Sequence, residues 1–370
     1  MVFRNSEYGE KTMKIYFDNI IFSLQKSGGI SVYFYEILKR FQKDKRKFYV
    51  LDSIDIDNKN IFYKKLNIST EKIKEKSIFF NKILRYFDVK IKEKEKFIFH
   101  STYYRICNSK RAINITTVHD FTYEKYFKGV KKKIHSIQKK RAILKSDLII
   151  CISENTKKDL FNFIPEAKNK KIDVIYNGIS EEFYKKEKLE NDFDKEYSKK
   201  RYILYVGARR GYKNFKLTLE IMSKLKNEFT LIFVGGEELS SQEKKEIENF
   251  LDKKYEHLKG VSIEKLNSLY NYAFCLLYPS EYEGFGIPVL EAMRAGCPVL
   301  AYENSSIPEI SGPSLLVKEN NVTNYLENIN KLLEKDERDR IIKEGIKYSQ
   351  NFSWNKTYKK LIQNYISFMN

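Results

Sequence analysis

The fold is decided by residues 279–298, PSEYEGFGIPVLEAMRAGCP, which follow a short apolar run. The order predicts a strand, a glycine-containing loop and a helix, with Pro288 at the first helical position, where its missing N–H costs nothing. Gly284 and Gly286 allow a tight turn and leave backbone amides unobstructed. Because free amides at the beginning of a helix bind anions, the stretch predicts a site for a phosphate or a sugar hydroxyl.

Two carboxylates flank this loop. Glu283 precedes it, and Glu291 lies in the first turn of the predicted helix. A carboxylate accepts two hydrogen bonds at once, so Glu291 can hold the paired hydroxyls of a ribose. Glu283, at the loop itself, is expected to face whatever is bound beyond the phosphate.

Outward from this stretch, short apolar runs alternate with helical patterns in two series. Strands are predicted in the first series at residues 13–18, 96–100, 115–119, 147–152 and 172–176, and in the second at 202–206, 230–234, 275–278 and 298–301. Residues 180–200 are polar, and we interpret them as a linker between the series. Short strands that alternate with helices indicate parallel sheets covered on both faces, so we expect an α/β chain of two Rossmann-like domains.

The charge of the chain is unevenly distributed. The 370 residues carry 69 basic and 49 acidic side chains, for a net charge of +20. Residues 1–150 contain 34 basic and 16 acidic side chains, whereas residues 151–350 contain 32 and 33. A lysine-rich composition without functional meaning is one explanation, and an anionic partner of the first domain is the other.

Several classes of protein are excluded. No run of eighteen apolar residues exists, which excludes a transmembrane helix, and the N-terminal residues lack the apolar core of a signal peptide. The four cysteines are dispersed, which favours a reducing, cytoplasmic setting. The pair Asp55 and Asp57 has the spacing of a nucleotide–metal motif but lies far from the other motifs, and we expect no metal.

Residues 283–291 resemble the E-x7-E motif of retaining glycosyltransferases with the GT-B fold, specifically glycosyltransferase family 4. Further landmarks occur in the order of that family: Gly28 and Gly29, residues 118–120, residues 176–178, residues 206–214 and residues 304–309. The resemblance implies two Rossmann-like domains that face each other across a cleft. Its parts are an acceptor-side domain at 1–185, a nucleotide-sugar donor domain at 200–350, and a helix at 351–370 that packs back on the first domain.

The resemblance also implies a role for each matching residue. On the donor side these are the diphosphate cations Arg209 and Lys213, the ribose ligand Glu291, the sugar ligands Glu283, Gly284, Phe285 and Gly286, and the phosphate-facing Gly28 and Gly29. His119 is expected to contact the transferred sugar, and Asp120 to act as a base or to orient the acceptor. Arg210 can share the role of Arg209. The physical case for the cations is that a leaving diphosphate gains negative charge, which fixed positive charges stabilise.

The function implied is a retaining, metal-independent transfer of a hexose from GDP-mannose or a UDP-hexose, with no cofactor. The acceptor is expected to be a surface glycan or a lipid-linked glycan, as in polysaccharide or lipopolysaccharide biosynthesis. Retention can occur by double displacement through Glu283 or by front-face attack, which the resemblance favours. The alternatives are another GT-B enzyme, such as a nucleotide-sugar epimerase, and a nucleic-acid-binding protein, which only the charge suggests and which we do not expect.

In the GT-B architecture the first domain meets the acceptor. Its basic surplus therefore suggests an anionic membrane surface or an anionic lipid-linked acceptor as partner. Residues 77–87 mix aromatic and basic side chains, and they can form either a membrane-contact helix or a core helix. We expect a cytoplasmic protein, peripheral on the inner face of the membrane if the basic face binds lipid.

Overall fold

The computed structural model of the chain describes residues 14–53, 59–66, 72–75, 85–209 and 211–368. Three sequence predictions concern residues outside these ranges: the pair Asp55 and Asp57, Arg210, and most of the aromatic and basic stretch at 77–87.

The first sheet has seven parallel strands within the described residues, in the order β3-β2-β1-β4-β5-β6-β7. The central strands are buried at every position, as expected for a parallel sheet covered on both faces. The strands are β1 (Ile15–Asp18), β2 (Tyr49–Ser53), β3 (Lys72–Glu75), β4 (Phe97–Ser101), β5 (Ala112–Val118), β6 (Leu148–Cys151) and β7 (Ile172–Val174).

The helices of this domain pack apolar faces on the sheet. In the second helix, Tyr33, Phe34, Ile37, Leu38 and Phe41 are buried, and their spacing is that of one helical face. The helices are α1 (Ile20–Leu24), α2 (Gly29–Lys43), α3 (Ile61–Leu66), α4 (Thr122–Tyr126), α5 (Gly129–Lys145) and α6 (Glu154–Phe163), followed by a 3-10 turn (Pro165–Asn169).

The second sheet, in the part of the chain that the structure describes, has six parallel strands in the order β10-β9-β8-β11-β12-β13. Its strands are β8 (Tyr202–Val206), β9 (Thr230–Val234), β10 (Tyr255–Leu258), β11 (Leu276–Tyr278), β12 (Val299–Tyr302) and β13 (Leu315–Val317). The chain is therefore an α/β protein with two parallel sheets, and the predicted fold class is confirmed.

Helices cover both faces of the second sheet, and one further helix follows them at the end of the described chain. They are α7 (Asp192–Tyr197), α8 (Phe215–Leu225), α9 (Ser241–Leu251), α10 (Ile263–Tyr272), α11 (Ile287–Arg294), α12 (Ile307–Ile310), α13 (Val322–Leu333), α14 (Lys335–Ser349) and α15 (Trp354–Ile366), with a 3-10 turn (Gly211–Lys213) before α8. No helix within the described residues has both the length and the apolar character needed to cross a bilayer.

The interpretation of residues 180–200 as a linker is wrong. Phe183 and Tyr197 are buried in the core of the second domain. The Lys186 ammonium is buried and pairs with the Asp194 carboxylate at 2.8 Å, and it also donates to Ser268 on α10 at 3.1 Å. Most other side chains of the stretch are exposed, in keeping with its polar sequence, but these four buried residues anchor it on the second domain.

The last helix, α15, lies on the first domain. Trp354, Leu361 and Tyr365 are buried together with residues of the first sheet, among them Phe17. The Tyr365 hydroxyl lies 2.5 Å from Nδ1 of His100 on β4. The chain thus crosses between the domains twice, before residue 179 and again near residue 353.

The two crossings touch at Gly178. A Cβ atom at this position would lie 2.0 Å from the backbone nitrogen of Trp354, and the neighbouring bridge pairs Ile179 with Ser353. Only a residue without a side chain allows the two backbones to approach this closely.

We therefore expect Gly178→Ala to lower the free energy of unfolding by about 2–3 kcal/mol, because the backbone of Trp354 must move. Urea denaturation measures the effect. Gly29→Ala is the matched control, since a Cβ atom there would meet nothing within 4 Å beyond its chain neighbours and the backbone of its own helix, and it should change stability by no more than about 1 kcal/mol. Equal stability of the two variants would contradict the tight crossing.

Candidate functional site

The strand order locates the site. In each sheet the first strand of the domain is central, with β2 and β4 on either side of β1, and β9 and β11 on either side of β8. Ligands of open parallel sheets bind beyond the carboxyl ends of the strands where the order reverses. In the second sheet this is the position of two loops, residues 207–214 after β8 and residues 279–286 after β11.

These two loops are joined by an ion pair. Lys213 Nζ lies 2.5 Å from Glu283 Oε1, and both side chains are largely buried. The backbone N–H of Glu281 donates to the carbonyl of Tyr212 at 2.7 Å. Two segments about seventy residues apart thus form one charged site at the switch point of the sheet.

The segment that follows β12 fixes the backbone of Glu283. The N–H of Glu283 donates to Ser305 Oγ, and Ser306 Oγ donates to the carbonyl of Glu283, both at 2.9 Å. The residues at 304–309 therefore determine where the Glu283 carboxylate points.

Helix α11 begins at the loop with its first amides uncapped by a side chain. Gly286 is the N-cap, with a φ of +93°, which favours glycine. A Cβ atom there would lie 2.7 Å from Cδ1 of Ile307. The ring of Phe285 is buried between Tyr176 and Phe352, so only its amide can serve a ligand.

Glu291 lies in the second turn, because α11 begins at Ile287, one residue earlier than predicted. The Tyr270 hydroxyl donates to its Oε2 at 3.2 Å. Burial raises the pKa of the Glu291 carboxyl to about 7, although the hydrogen bond from Tyr270 opposes the shift. The carboxyl lines a cavity of about 180 Å³ between the domains, together with Tyr35 and Glu36 of α2.

His119 lies just beyond β5 and is buried, with the rings of Tyr33 and Phe34 edge-on to its imidazole at 5.1 and 6.2 Å. The pKa of His119 is lowered to about 4, mainly by burial; the charge of Asp120 opposes the shift, and that of Lys139 adds to it. The imidazole is therefore neutral near pH 7. Its buried Nε2 has no hydrogen-bond partner among the described residues, which leaves one polar atom of the imidazole unsatisfied.

Asp120 shapes the loop between β5 and α4. Its Oδ1 accepts the N–H of Thr122 at 2.9 Å, and its carbonyl accepts Lys139 Nζ at 2.9 Å. Lys139 is buried and pairs with Glu124 at 2.7 Å. These bonds hold the backbone that carries His119.

Arg209 does not meet the Lys213–Glu283 pair in this structure. Its guanidinium donates to the carbonyls of Gly235 and Glu237 at 3.1 and 2.8 Å, and lies 3.4 Å from the Glu243 carboxylate. The geometry thus separates the two predicted diphosphate cations and leaves Lys213 beside Glu283.

Gly28 and Gly29 form the N-terminus of α2, with Gly28 as the N-cap. Ser31 Oγ donates to the carbonyl of Gly28 at 2.8 Å. The helix faces the interdomain cavity through Val32, Tyr35 and Glu36. The first-domain glycines thus begin a helix that lies across the cavity from Glu291.

Contacts across the cleft were not predicted from the sequence. A Cβ atom at Gly284 would lie 2.0 Å from the His119 carbonyl oxygen, and the Gly284 carbonyl accepts Ser153 Oγ at 2.8 Å. The Glu309 carboxylate accepts the N–H groups of Glu154 and Asn155 at 2.8 and 2.7 Å, at the N-terminus of α6. Ser153 is the N-cap of α6, so the end of this helix is bonded directly to the motif loop of the other domain.

A second link across the cleft is formed by Tyr282. Its hydroxyl donates to Asp159 Oδ2 at 2.8 Å and accepts the N–H of Phe121 at 2.9 Å. Asp159 also pairs with Lys125 at 2.9 Å. Tyr282 directly precedes Glu283, so this link ties the motif loop to the loop of His119.

Among the described residues, no group of three or more histidine, cysteine, aspartate or glutamate side chains could hold a metal ion. The four cysteines are buried and unpaired.

Two family models match the chain, one on each domain. The Glycosyltransferase Family 4 model matches residues 27–183, and the model of group 1 glycosyl transferases matches residues 186–348. The second model begins within the stretch first interpreted as a linker, in agreement with the four residues that anchor this stretch on the second domain.

Curated relatives are similar over part of the chain. An uncharacterised glycosyltransferase of Methanocaldococcus jannaschii is 32% identical over 225 residues, which are 59% of this chain and 58% of that protein. The O-antigen chain mannosyltransferase RfbU of Salmonella typhimurium is 31% identical over 197 residues, 52% of each chain. The matched part is thus a little more than half the length of these relatives.

Solved structures share the fold over nearly the whole chain. A sucrose-phosphate synthase of Thermosynechococcus elongatus has a TM-score of 0.73 at 17% identity, covering 96% of this chain and 99% of that one. HepE of Anabaena, in complex with UDP-glucose, has a TM-score of 0.71 at 16% identity, covering 96% and 100%. With both domains matched by family models and the two-sheet fold shared, the chain belongs to the GT-B glycosyltransferases of the family 4 type.

Proposed function

We propose that the protein transfers a hexose from a nucleotide-diphosphate sugar to a surface glycan or lipid-linked acceptor, with retention of anomeric configuration and without a metal. The observation that carries this proposal is the Lys213–Glu283 pair beside the N-terminus of α11, across from His119. A cation and uncapped backbone amides at the switch point of the second sheet, with a neutral imidazole in the adjacent loop of the first domain, fit a donor with an anionic leaving group.

In this proposal Lys213 neutralises the departing diphosphate. Negative charge on the leaving group grows as the glycosidic bond breaks, so a fixed ammonium stabilises the transition state more than the ground state. The amides of Gly284, Phe285 and Gly286 support the same charge or bind the sugar hydroxyls. Glu291, on the cavity wall, accepts the ribose hydroxyls.

His119 serves the sugar from the first domain. Its low pKa keeps the imidazole neutral, so Nε2 can bond to a hydroxyl of the transferred sugar without adding charge. Arg209 would reach the diphosphate only if it released the carbonyls of Gly235 and Glu237. Lys213 is therefore the stronger candidate for the main diphosphate cation.

The chemistry that fits best is front-face attack. The bond between C1 of the sugar and the phosphate oxygen breaks, the acceptor oxygen bonds to C1 on the same face, and the acceptor proton passes to the leaving phosphate. Double displacement would need Glu283 as the nucleophile. A carboxylate held 2.5 Å from the Lys213 ammonium is a weakened nucleophile, which argues for the front-face route.

The comparisons support candidates for donor and acceptor. The O-antigen chain mannosyltransferases among the relatives favour GDP-mannose and a surface polysaccharide, whereas the UDP-glucose complex of HepE favours a UDP-hexose. Incubation with GDP- and UDP-sugars, read by donor hydrolysis and by thermal shift, distinguishes them. No response to any nucleotide sugar would overturn the proposal.

Lys213→Ala should lower kcat/KM for the preferred donor by about 100-fold or more, since it removes the cation beside the leaving group. Steady-state kinetics measures the loss. Lys216→Ala is the matched control, an exposed lysine on α8 three residues away, and should retain wild-type kinetics. Equal activity of the two variants would remove Lys213 from the mechanism.

Glu291 should make stability depend on pH. Its carboxyl keeps its proton up to about pH 7 in the folded chain, but loses it near 4.5 when unfolded. The folded state binds more protons between these values, so this contribution is complete below pH 4.5 and is lost as pH rises to 7. Relative to Glu291→Gln, the wild type should lose about 2 kcal/mol between pH 5 and 8.

Urea denaturation at several pH values measures this difference. Glu327→Gln, at an exposed position on α13, is the control and should follow the wild type at every pH. The proposed ribose contact adds a second readout, because the ionised carboxylate is the better acceptor. Affinity for the nucleoside diphosphate should rise from pH 6 to 8 in the wild type but not in Glu291→Gln, and parallel curves would contradict the ribose role.

Metal independence predicts that donor turnover persists in EDTA. Activity should stay within about twofold of the untreated enzyme, because Lys213 and backbone amides supply the charge that a metal would otherwise supply. Loss of activity in EDTA, with recovery on adding Mg²⁺ or Mn²⁺, would show that a metal takes part.

A further inference from the structure

Helix α5 carries an apolar stripe that faces solvent. Val130, Ile134 and Ile137 are 72%, 44% and 60% exposed. Positions i, i+4 and i+7 lie on one side of a helix, so the three side chains form a continuous row. We call this row and the lysines beside it the α5 face.

The charge of α5 is entirely positive. Its seventeen residues include six lysines and one arginine but no acidic side chain. Lys131 and Lys133 are exposed beside the stripe and form no ion pair with any described residue. Lys140 and Arg141 pair with Glu166 and Asp88 at the far end of the helix. Free cations thus flank the apolar row near the beginning of α5.

Two exposed aromatic residues lie alongside the same helix. Tyr86 and Phe87 are 41% and 61% exposed. Gln138 donates to the carbonyl of Arg85 on one side of them, and Arg141 pairs with Asp88 on the other. These aromatic residues are the described end of the stretch at 77–87, for which the sequence left a membrane contact and a core helix both open.

We propose that the α5 face docks on the surface of an anionic phospholipid bilayer. Val130, Ile134 and Ile137 enter the boundary between headgroups and acyl chains, while Lys131 and Lys133 bind the anionic headgroups. An apolar row flanked by cations offers an anionic bilayer both a hydrophobic contact and an electrostatic attraction, while the opposite side of α5 stays packed on the protein. Tyr86 and Phe87 extend the contact, since aromatic side chains favour the membrane interface.

Other occupants fit this face less well. A second copy of the chain would bring two faces of the same positive charge together, which repels. A nucleic acid would meet the lysines, but the apolar row between them offers nothing to a phosphate backbone. The combination of apolar centre and basic flanks is complementary to an anionic lipid surface.

The α5 face is connected to the candidate site through helix α4. Helix α4 connects the loop of His119 to α5, and the ring of Tyr126 at its end lies 4.9 Å from the ring of Tyr212, next to Lys213. A bilayer at α5 would therefore lie near the mouth of the cleft on the acceptor side. The entry of a lipid-linked acceptor at this place rests on the proposed function. The docking of the α5 face on a bilayer does not depend on it.

Sedimentation with vesicles, without any nucleotide sugar, tests the docking. We expect the wild type to sediment with phosphatidylcholine vesicles containing about 30% phosphatidylglycerol and not with phosphatidylcholine alone. Lys131→Glu/Lys133→Glu should weaken binding by roughly 30-fold or more, since each cation near an anionic surface contributes about fivefold. Ile134→Asn/Ile137→Asn should abolish the part of the binding that resists high salt.

Two variants serve as controls. Lys244→Glu/Lys245→Glu changes the same charge at exposed positions on α9, and Leu333→Asn removes an exposed leucine on α13. Both should bind like the wild type. Thermal shift with the preferred nucleotide sugar reports folding and donor binding of every variant, so a failure of docking is distinguished from a failure of the proposed function.

Several outcomes would overturn the proposal. These are no sedimentation of the wild type with anionic vesicles, equal loss in the control variants, and wild-type binding by both α5 variants. A dimer in sedimentation velocity that Ile134→Asn/Ile137→Asn dissociates would assign the face to a second copy. If the protein bound a polyanion but not vesicles, and the isoleucine substitutions left that binding unchanged, the α5 face would be assigned to nucleic acid.

Discussion

Gly284 lies so close to the first domain that a Cβ atom there would be 2.0 Å from the carbonyl oxygen of His119. Its own carbonyl accepts hydrogen bonds from Ser153 and Thr156, which stand at the beginning of α6. The rest of the site depends on this backbone contact, because it brings the charged loops of the second sheet to the imidazole of the first. A side chain at this position would separate the domains and enlarge the cavity between them.

The electrostatic character of the cleft follows from that closeness. Burial keeps His119 neutral and raises the pKa of Glu291, whereas Glu283 is matched by the ammonium of Lys213. The Glu309 carboxylate meets the N-terminal amides of α6, a favourable position for a negative charge. The charges at the interface are therefore largely compensated within the protein, and Lys213 must exchange its partner when an anionic donor binds.

The domain boundary is more closely packed than its polar sequence suggests. Lys186 and Asp194 form a buried pair, and Gly178 lets the outgoing chain touch the returning chain at Trp354. The last helix then lies on the first sheet. Any motion between the domains must bend these two crossings, since the residues on either side of them belong to the two cores.

The sequence by itself determined the fold class and the family, because strand-length apolar runs, glycines, Pro288 and the spacing of Glu283 and Glu291 are local features. It also indicated the loops that surround the cleft. Only the tertiary structure decided that Lys213 rather than Arg209 meets Glu283, that four residues within 180–200 anchor this stretch on the second domain, and that the α5 stripe is exposed. These outcomes depend on side-chain directions and on contacts between residues far apart in the chain, which no local pattern specifies.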